Sequence, residues 1–213
     1  MLAQARSSVQ TGDYLRRHLP IYVMTMLIFL MGVIFGSLAV RVLPQSQKAE
    51  LAEDLRVFFR GFGGIRQAAG VAPSRQALYN NLKTILIAWV LGLSVIGAPG
   101  ILVLLFLRGF IIGFTVGFLV DEMAARGIIL AAVSVLPQNI FIIPAILGGC
   151  AASLAFAVAL AQDRLTHKRV PIYPQFLLTV VISAGAALLL VLAGAVESYV
   201  TPVFMQLASK YLL

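Results

Sequence analysis

The sequence predicts an all-α, polytopic membrane protein formed as a single integral membrane domain, and three observations carry that reading. Of 213 residues, 61% are hydrophobic and only 11% are charged, whereas an ordinary soluble domain carries roughly 25% charged residues. Mean hydropathy is +0.98. The apolar residues are also contiguous: 19–40, 84–107, 109–120, 127–162 and 170–196 contain no Asp, Glu, Lys, Arg or His. A water-soluble fold of this length could not hide so much apolar surface, so lipid is the solvent. The composition excludes a disordered tail, a disulfide scaffold and a typical soluble enzyme.

Each element follows from its length. A spanning helix needs roughly 20 mostly apolar residues. The stretch 19–40 supplies one span, at about 20–40. Ser37-Leu38-Ala39 resembles a signal-peptide cleavage site, but the apolar run exceeds the usual signal core, so an uncleaved anchor is expected. Residues 84–120 as one helix would reach about 55 Å, nearly twice the hydrocarbon thickness. Gly97-Ala98-Pro99-Gly100 offers a turn, which predicts a hairpin of spans at 79–96 and 101–120. The stretch 127–162 is too long in the same way, and Pro137 and Pro144 interrupt it. Proline lacks a backbone donor and disfavours helix in the residue before it. The expectation is a short apolar element at 127–136, a polar break at Pro137-Gln138-Asn139, and a span at 140–161. The short piece cannot cross alone and is read as re-entrant or interfacial. A last span at 172–196 completes five spans plus one broken element.

The connecting segments hold the charge. Net charge is +8, from 16 basic and 8 acidic residues. In a soluble protein this would suggest nucleic acid, but no basic–aromatic pattern supports that partner. Residues 41–83 contain seven basic and three acidic residues. Within them Leu51, Leu55, Phe58, Phe59 and Phe62 recur at helical spacing, with Lys48, Glu53, Asp54, Arg56 and Arg60 between them. This predicts an amphipathic helix at 47–62, ended by Gly61, Gly63 and Gly64. Such a helix suits either the bilayer surface or a partner protein. Thr201-Pro202 is a helix-start signal near the C-terminus. The short loops carry their basic residues in a way that favours a cytoplasmic N-terminus and an outside C-terminus.

Catalytic constellations are missing from the spans. There is no H-E-x-x-H, no phosphate loop, and no histidine or aspartate inside a span. The sole cysteine, Cys150, lies in an apolar run and reads as a small buried residue. No catalytic, metal or cofactor residue is assigned, and an enzyme is not expected. Four polar residues in or bounding the membrane region are candidates for function. Arg108 interrupts an apolar run, where a charge is a functional-site candidate or snorkels to the interface. Gln138 and Asn139 flank a helix break, where transporters bind substrates and where amides also cap freed backbone groups. Glu197 closes the last span. Gly32, Gly36, Gly109, Gly113 and Gly117 form G-x-x-x-G steps, which let helix backbones approach closely, within the chain or between chains.

The strings Phe29-Leu30-Met31-Gly32-Val33-Ile34-Phe35-Gly36, Gly113-Phe114-Thr115-Val116-Gly117-Phe118-Leu119-Val120 and Ser134-Val135-Leu136-Pro137-Gln138-Asn139 resemble the stage II sporulation protein M family. Ile143-Pro144-Ala145 and Glu197-Ser198-Tyr199-Val200-Thr201-Pro202 extend the resemblance to the end of the chain. Broader relatives often carry Pro-His-Gly and Glu-Leu-Pro where this chain has Pro137-Gln138-Asn139 and Ile143-Pro144, so no role of those motifs carries over. The resemblance implies a non-enzymatic scaffold in the mother-cell membrane at the sporulation septum. It implies as partners the wall-degrading stage II sporulation proteins D and P, which act in engulfment. It also implies a long loop facing the wall. Read from the residues alone, two alternatives stand beside the scaffold. One is a small transporter or transporter subunit with a site near Pro137. The other is a self-associating, membrane-shaping homo-oligomer.

Overall fold

A computed structural model describes residues 2–53, 72–166 and 172–212, and all its described elements are helices. They are α1 (Leu2–Val42), α2 (45–53), α3 (Ala72–Gly92), α4 (Gly97–Ser134), α5 (Leu136–Thr166) and α6 (Ile172–Leu212). Helices are what lipid demands, because only they satisfy every backbone donor and acceptor within the segment. Four are long and apolar enough to cross a membrane: Leu19–Val42, Gly97–Ala132, Asn139–Asp163 and Ile172–Gly194. The protein is therefore a polytopic membrane protein with one such span fewer than the five expected. The missing one is α3. It packs beside α4, α5 and α6, but Arg75, Asn80, Asn81 and Lys83 interrupt its apolar sequence.

The packing registers fix the helix directions. Gly32 lies against Phe106, Gly36 against Phe110 and Gly117 against Ser37, so α1 and α4 run parallel. Gly100 meets Leu91 while Arg108 meets Asn81, so α3 and α4 are antiparallel. Gly92 meets Ser153 and Gly149 meets Ile85, so α3 and α5 are parallel. Gly149 also meets Ala186, and Thr179 bonds Ala152, so α5 and α6 are antiparallel. The directions of α1, α3, α4, α5 and α6 thus alternate, and the start of α1 and the end of α6 lie at opposite ends of the bundle.

Helix α5 is the centre. Two-thirds of its apolar window is buried, against 28% for each of the other three. Its residues Cys150, Ala151, Ala152, Ser153 and Ala155 are nearly inaccessible, because small side chains let four helices crowd one axis. Cys150 takes the buried place expected of it, in a cluster with Ile85, Ile101, Leu105, Ile146 and Leu190. Outward residues such as Leu27, Met31, Ile34, Val103, Leu188 and Leu192 are exposed, as a lipid-facing surface requires.

Three boundaries differ from expectation. The α3–α4 turn is 93–96, four residues earlier than the Gly97–Gly100 string. Pro99 sits in the first turn of α4, where no amide has an intrahelical acceptor, so proline costs nothing there. Gly97 is the residue the turn requires, since a Cβ there would lie 1.9 Å from the Leu91 carbonyl oxygen. The second difference is at Pro137, which is the second residue of α5 and not a polar break. One residue, Val135, separates α4 from α5, and the ladder continues across it through Val135 N–H to Ala131 O at 2.8 Å and Asn139 N–H to Val135 O at 3.3 Å. The element expected at 127–136 is therefore the last part of α4. The chain reverses instead at Ala124, whose φ is 48° and ψ −126°. Beyond it Leu130 and Ala131 pack back onto Leu119, and Val116 covers them. Finally, α6 runs past Thr201-Pro202 as one element to Leu212, so no separate terminal helix starts there.

Ala124 occupies backbone space that favours glycine. Replacing it with glycine should raise stability by about 1 kcal/mol by relieving that strain, seen as a higher Tm of the detergent-solubilised chain. An unchanged or lower Tm would count against the reversal.

Helix α2 coincides with the start of the amphipathic helix expected at 47–62. Lys48 Nζ donates to Asp121 Oδ2 at 2.6 Å, which ties α2 to the end of the α4 segment preceding Ala124. Leu51 is half-buried. Leu55, Phe58, Phe59 and Phe62 lie outside the described residues.

Candidate functional site

Arg108 does not snorkel. It is level with Phe29–Gly32 of α1, near the middle of the Leu19–Val42 span, and turns toward α3. Its Nη1 donates to Asn81 Oδ1 at 2.9 Å and its Nη2 to the Asn80 carbonyl at 2.9 Å. Nη2 also donates to Thr84 Oγ1, and the Thr84 hydroxyl donates to the Asn80 carbonyl at 2.8 Å. Asn81 and Thr84 are buried, Arg108 half-buried. A guanidinium at the centre of a span costs about 2.5–3.5 kcal/mol on insertion scales. Hydrogen bonds from a charged donor return about 1.5–3 kcal/mol each, so this set holds α3 to α4. All three acceptors are neutral. No carboxylate of the described residues lies within ion-pair distance of Arg108.

Beside this cluster is a cavity of about 250 Å³, lined by Asn80, Asn81, Arg108 and Asn139 on its polar side. Phe29, Ile111, Ile112, Ile142, Ile143 and Ile146 form the apolar side. Asn139 reaches it from α5, with its Nδ2 donating to the Val135 carbonyl at 2.7 Å. The structure thus brings two candidates, Arg108 and Asn139, to one space. The side chains of Gln138 and Glu197 lie outside the described residues.

The five candidate glycines meet in one seam. A Cβ at Gly32, Gly36, Gly109 or Gly113 would fall 2.0–2.2 Å from a backbone oxygen of the facing helix: Phe106, Phe110, Phe29 and Val33 respectively. At Gly117 the nearest atom is Ser37 Cα at 2.9 Å. Backbones this close leave no room for a partner, so the seam is α1–α4 packing within one chain. The ladder Phe106, Phe110, Phe114 and Phe118 stacks along the same helix at centroid distances of 6.2–6.4 Å.

Sequence reasoning did not single out Asn80, Asn81 and Thr84. Their spacing, i, i+1 and i+4, puts Asn80 and Thr84 on one face of α3 with Asn81 beside them. Among the described residues, no group of three or more His, Cys, Asp or Glu is placed to hold a metal ion.

The fold and the site define a helical polytopic membrane protein with a half-buried arginine–amide cluster at mid-span. The family model described as Stage II sporulation protein M matches residues 25–202, from the first span to the last helix. The chain belongs to the stage II sporulation protein M family, a family of sporulation membrane proteins that is not a known enzyme family. Neither curated proteins nor solved structures give a match.

Proposed function

We propose that the chain is a non-enzymatic membrane scaffold. In this reading it recruits and anchors the cell-wall hydrolases stage II sporulation proteins D and P at the septum for engulfment during endospore formation. The observation that carries the reading is the family match across residues 25–202. The packing supports it. The glycine seam and the Arg108 bonds are both spent inside the bundle, which leaves the 43–71 connection between α1 and α3, shorter than the 41–83 loop expected because α3 begins at Ala72, as the long segment for partners. A cytoplasmic N-terminus sets that connection outside, toward the wall. The alternating helix directions then carry the C-terminus outside as well. The test is a crosslinking pull-down from sporulating cells. Both hydrolases should be recovered with the wild-type chain and with Arg108→Ala or Asn139→Ala. They should be lost with a Phe58→Ala, Phe59→Ala double variant. Recovery of neither hydrolase with the wild-type chain would end the proposal.

A second reading, a small transporter or transporter subunit, is favoured by the cavity at Arg108 and Asn139. It requires solute flux in liposomes that is lost with Asn139→Ala.

A further inference from the structure

The hydrogen-bonding capacity left over in the Arg108 cavity is dominated by donors. A guanidinium has five N–H groups, and the described residues engage three of them, at Asn81 Oδ1, the Asn80 carbonyl and Thr84 Oγ1. Asn81 spends its oxygen on Arg108, so its Nδ2 retains two donors. Asn139 spends one Nδ2 hydrogen on Val135 and keeps the other, beside its Oδ1 acceptor. The positive charge has no carboxylate among the described residues to balance it. A donor-rich, cationic wall in an otherwise apolar cavity is complementary to an oxyanion, and arginine is the side chain best shaped to hold a phosphate. The cavity is not sealed. Asn80 and Ile111, two of its lining residues, are exposed, at a level where the surface of the bundle is apolar and faces lipid. Ile111, Ile112, Ile143 and Ile146 would lie against a hydrocarbon body attached to the anion.

We infer that the cavity between α1, α3, α4 and α5 binds one phosphate oxyanion, held by the Arg108 guanidinium with the side-chain amides of Asn81 and Asn139. The source of that phosphate is either the headgroup of an anionic membrane lipid drawn in from the side or a free phosphate. The site does not depend on the scaffold reading, because it rests on geometry inside the bundle.

The full-length chain tests this when reconstituted in nanodiscs of phosphatidylcholine. In one arm phosphatidylglycerol replaces part of the lipid, and in the other inorganic phosphate is titrated from solution. Thermal unfolding is followed in both, and native mass spectrometry scores retained lipid. One arm should raise Tm in a saturable way, and which arm responds identifies the source. Arg108→Gln should weaken the response about tenfold or more, as loss of a charge-assisted bond implies. Ile143→Trp fills the cavity from α5 without touching the Arg108 bonds. It should abolish the response while leaving the Tm in pure phosphatidylcholine near that of the wild type, so the proposal is testable even if Arg108→Gln fails to fold. A wild-type chain that responds to neither source, or an Ile143→Trp variant that responds as fully as the wild type, overturns the proposal.

Discussion

Replacing Gly113 by leucine should lower the Tm of the solubilised chain by about 10 °C or more, or prevent recovery of folded protein. The Cβ alone would sit 2.0 Å from the Val33 carbonyl oxygen and 2.7 Å from the Val33 carbonyl carbon and Cα. All three are backbone atoms of α1, so no rotamer change opens the space, and the helices must separate. Overpacking a tight contact costs about 1–3 kcal/mol and occasionally more, against a total stability of about 5–15 kcal/mol. For a chain of this size about 3 kcal/mol corresponds to roughly 10 °C. The seam is shared by Gly32, Gly36, Gly109 and Gly117, so a lost fit at Gly113 is not confined to one turn. Gly148→Ala is the matched control. Nothing lies within 4 Å of the position its Cβ would take, and alanine favours helix over glycine by up to about 1 kcal/mol, so that variant should melt at or above the wild-type temperature. Equal Tm values for the two variants would mean that α1 and α4 do not meet as described.

The glycine seam was legible in the sequence because small residues four apart on two apolar helices have one common physical use, close approach. Which helices meet was not legible, since G-x-x-x-G is the same signal within a chain and between chains. Arg108 was legible as a charge inside an apolar run, but its acceptors were not. Polar residues at the start of α3 read as the edge of a span. Yet Asn81 lies twelve residues before the 93–96 turn and Arg108 twelve after it, and equal distance from a tight turn makes two residues neighbours on antiparallel helices. The prolines misled for a local reason. Pro99 and Pro137 both stand in a first turn, where a missing donor breaks nothing, so the string that looked like a turn in one case and a break in the other begins a helix. The reversal at Ala124 has neither glycine nor proline at its own position, and the signals around it were the charges of Asp121, Glu122 and Arg126 and the neighbouring Gly127, where a Cβ would lie 1.9 Å from the Leu119 carbonyl oxygen.

The second large effect is a non-additive one between α3 and α4. Asn81→Leu alone should destabilise the chain by about 1–3 kcal/mol, because Arg108 keeps its charge and loses its amide acceptor in an apolar setting. Arg108→Leu alone should cost less. It strands the Asn81 amide, but the Thr84 hydroxyl still donates to the Asn80 carbonyl at 2.8 Å. The double variant Asn81→Leu, Arg108→Leu removes the charge and its main side-chain partner together. It should recover about 1–2 kcal/mol relative to the sum of the single changes, as residues sharing one network do. Denaturation of the four proteins in one detergent measures this coupling, and strict additivity would show that the two side chains do not meet. A well-folded double variant has a further consequence. Apolar replacement of a buried polar cluster is often neutral or stabilising, so a bundle that folds without Arg108 does not need that charge to stand. The same variant should have lost the response to phosphate, since the guanidinium and one of the two amides are gone. Stability kept and ligand response lost, in one protein, would separate the binding role of Arg108 from its role as a tie between helices.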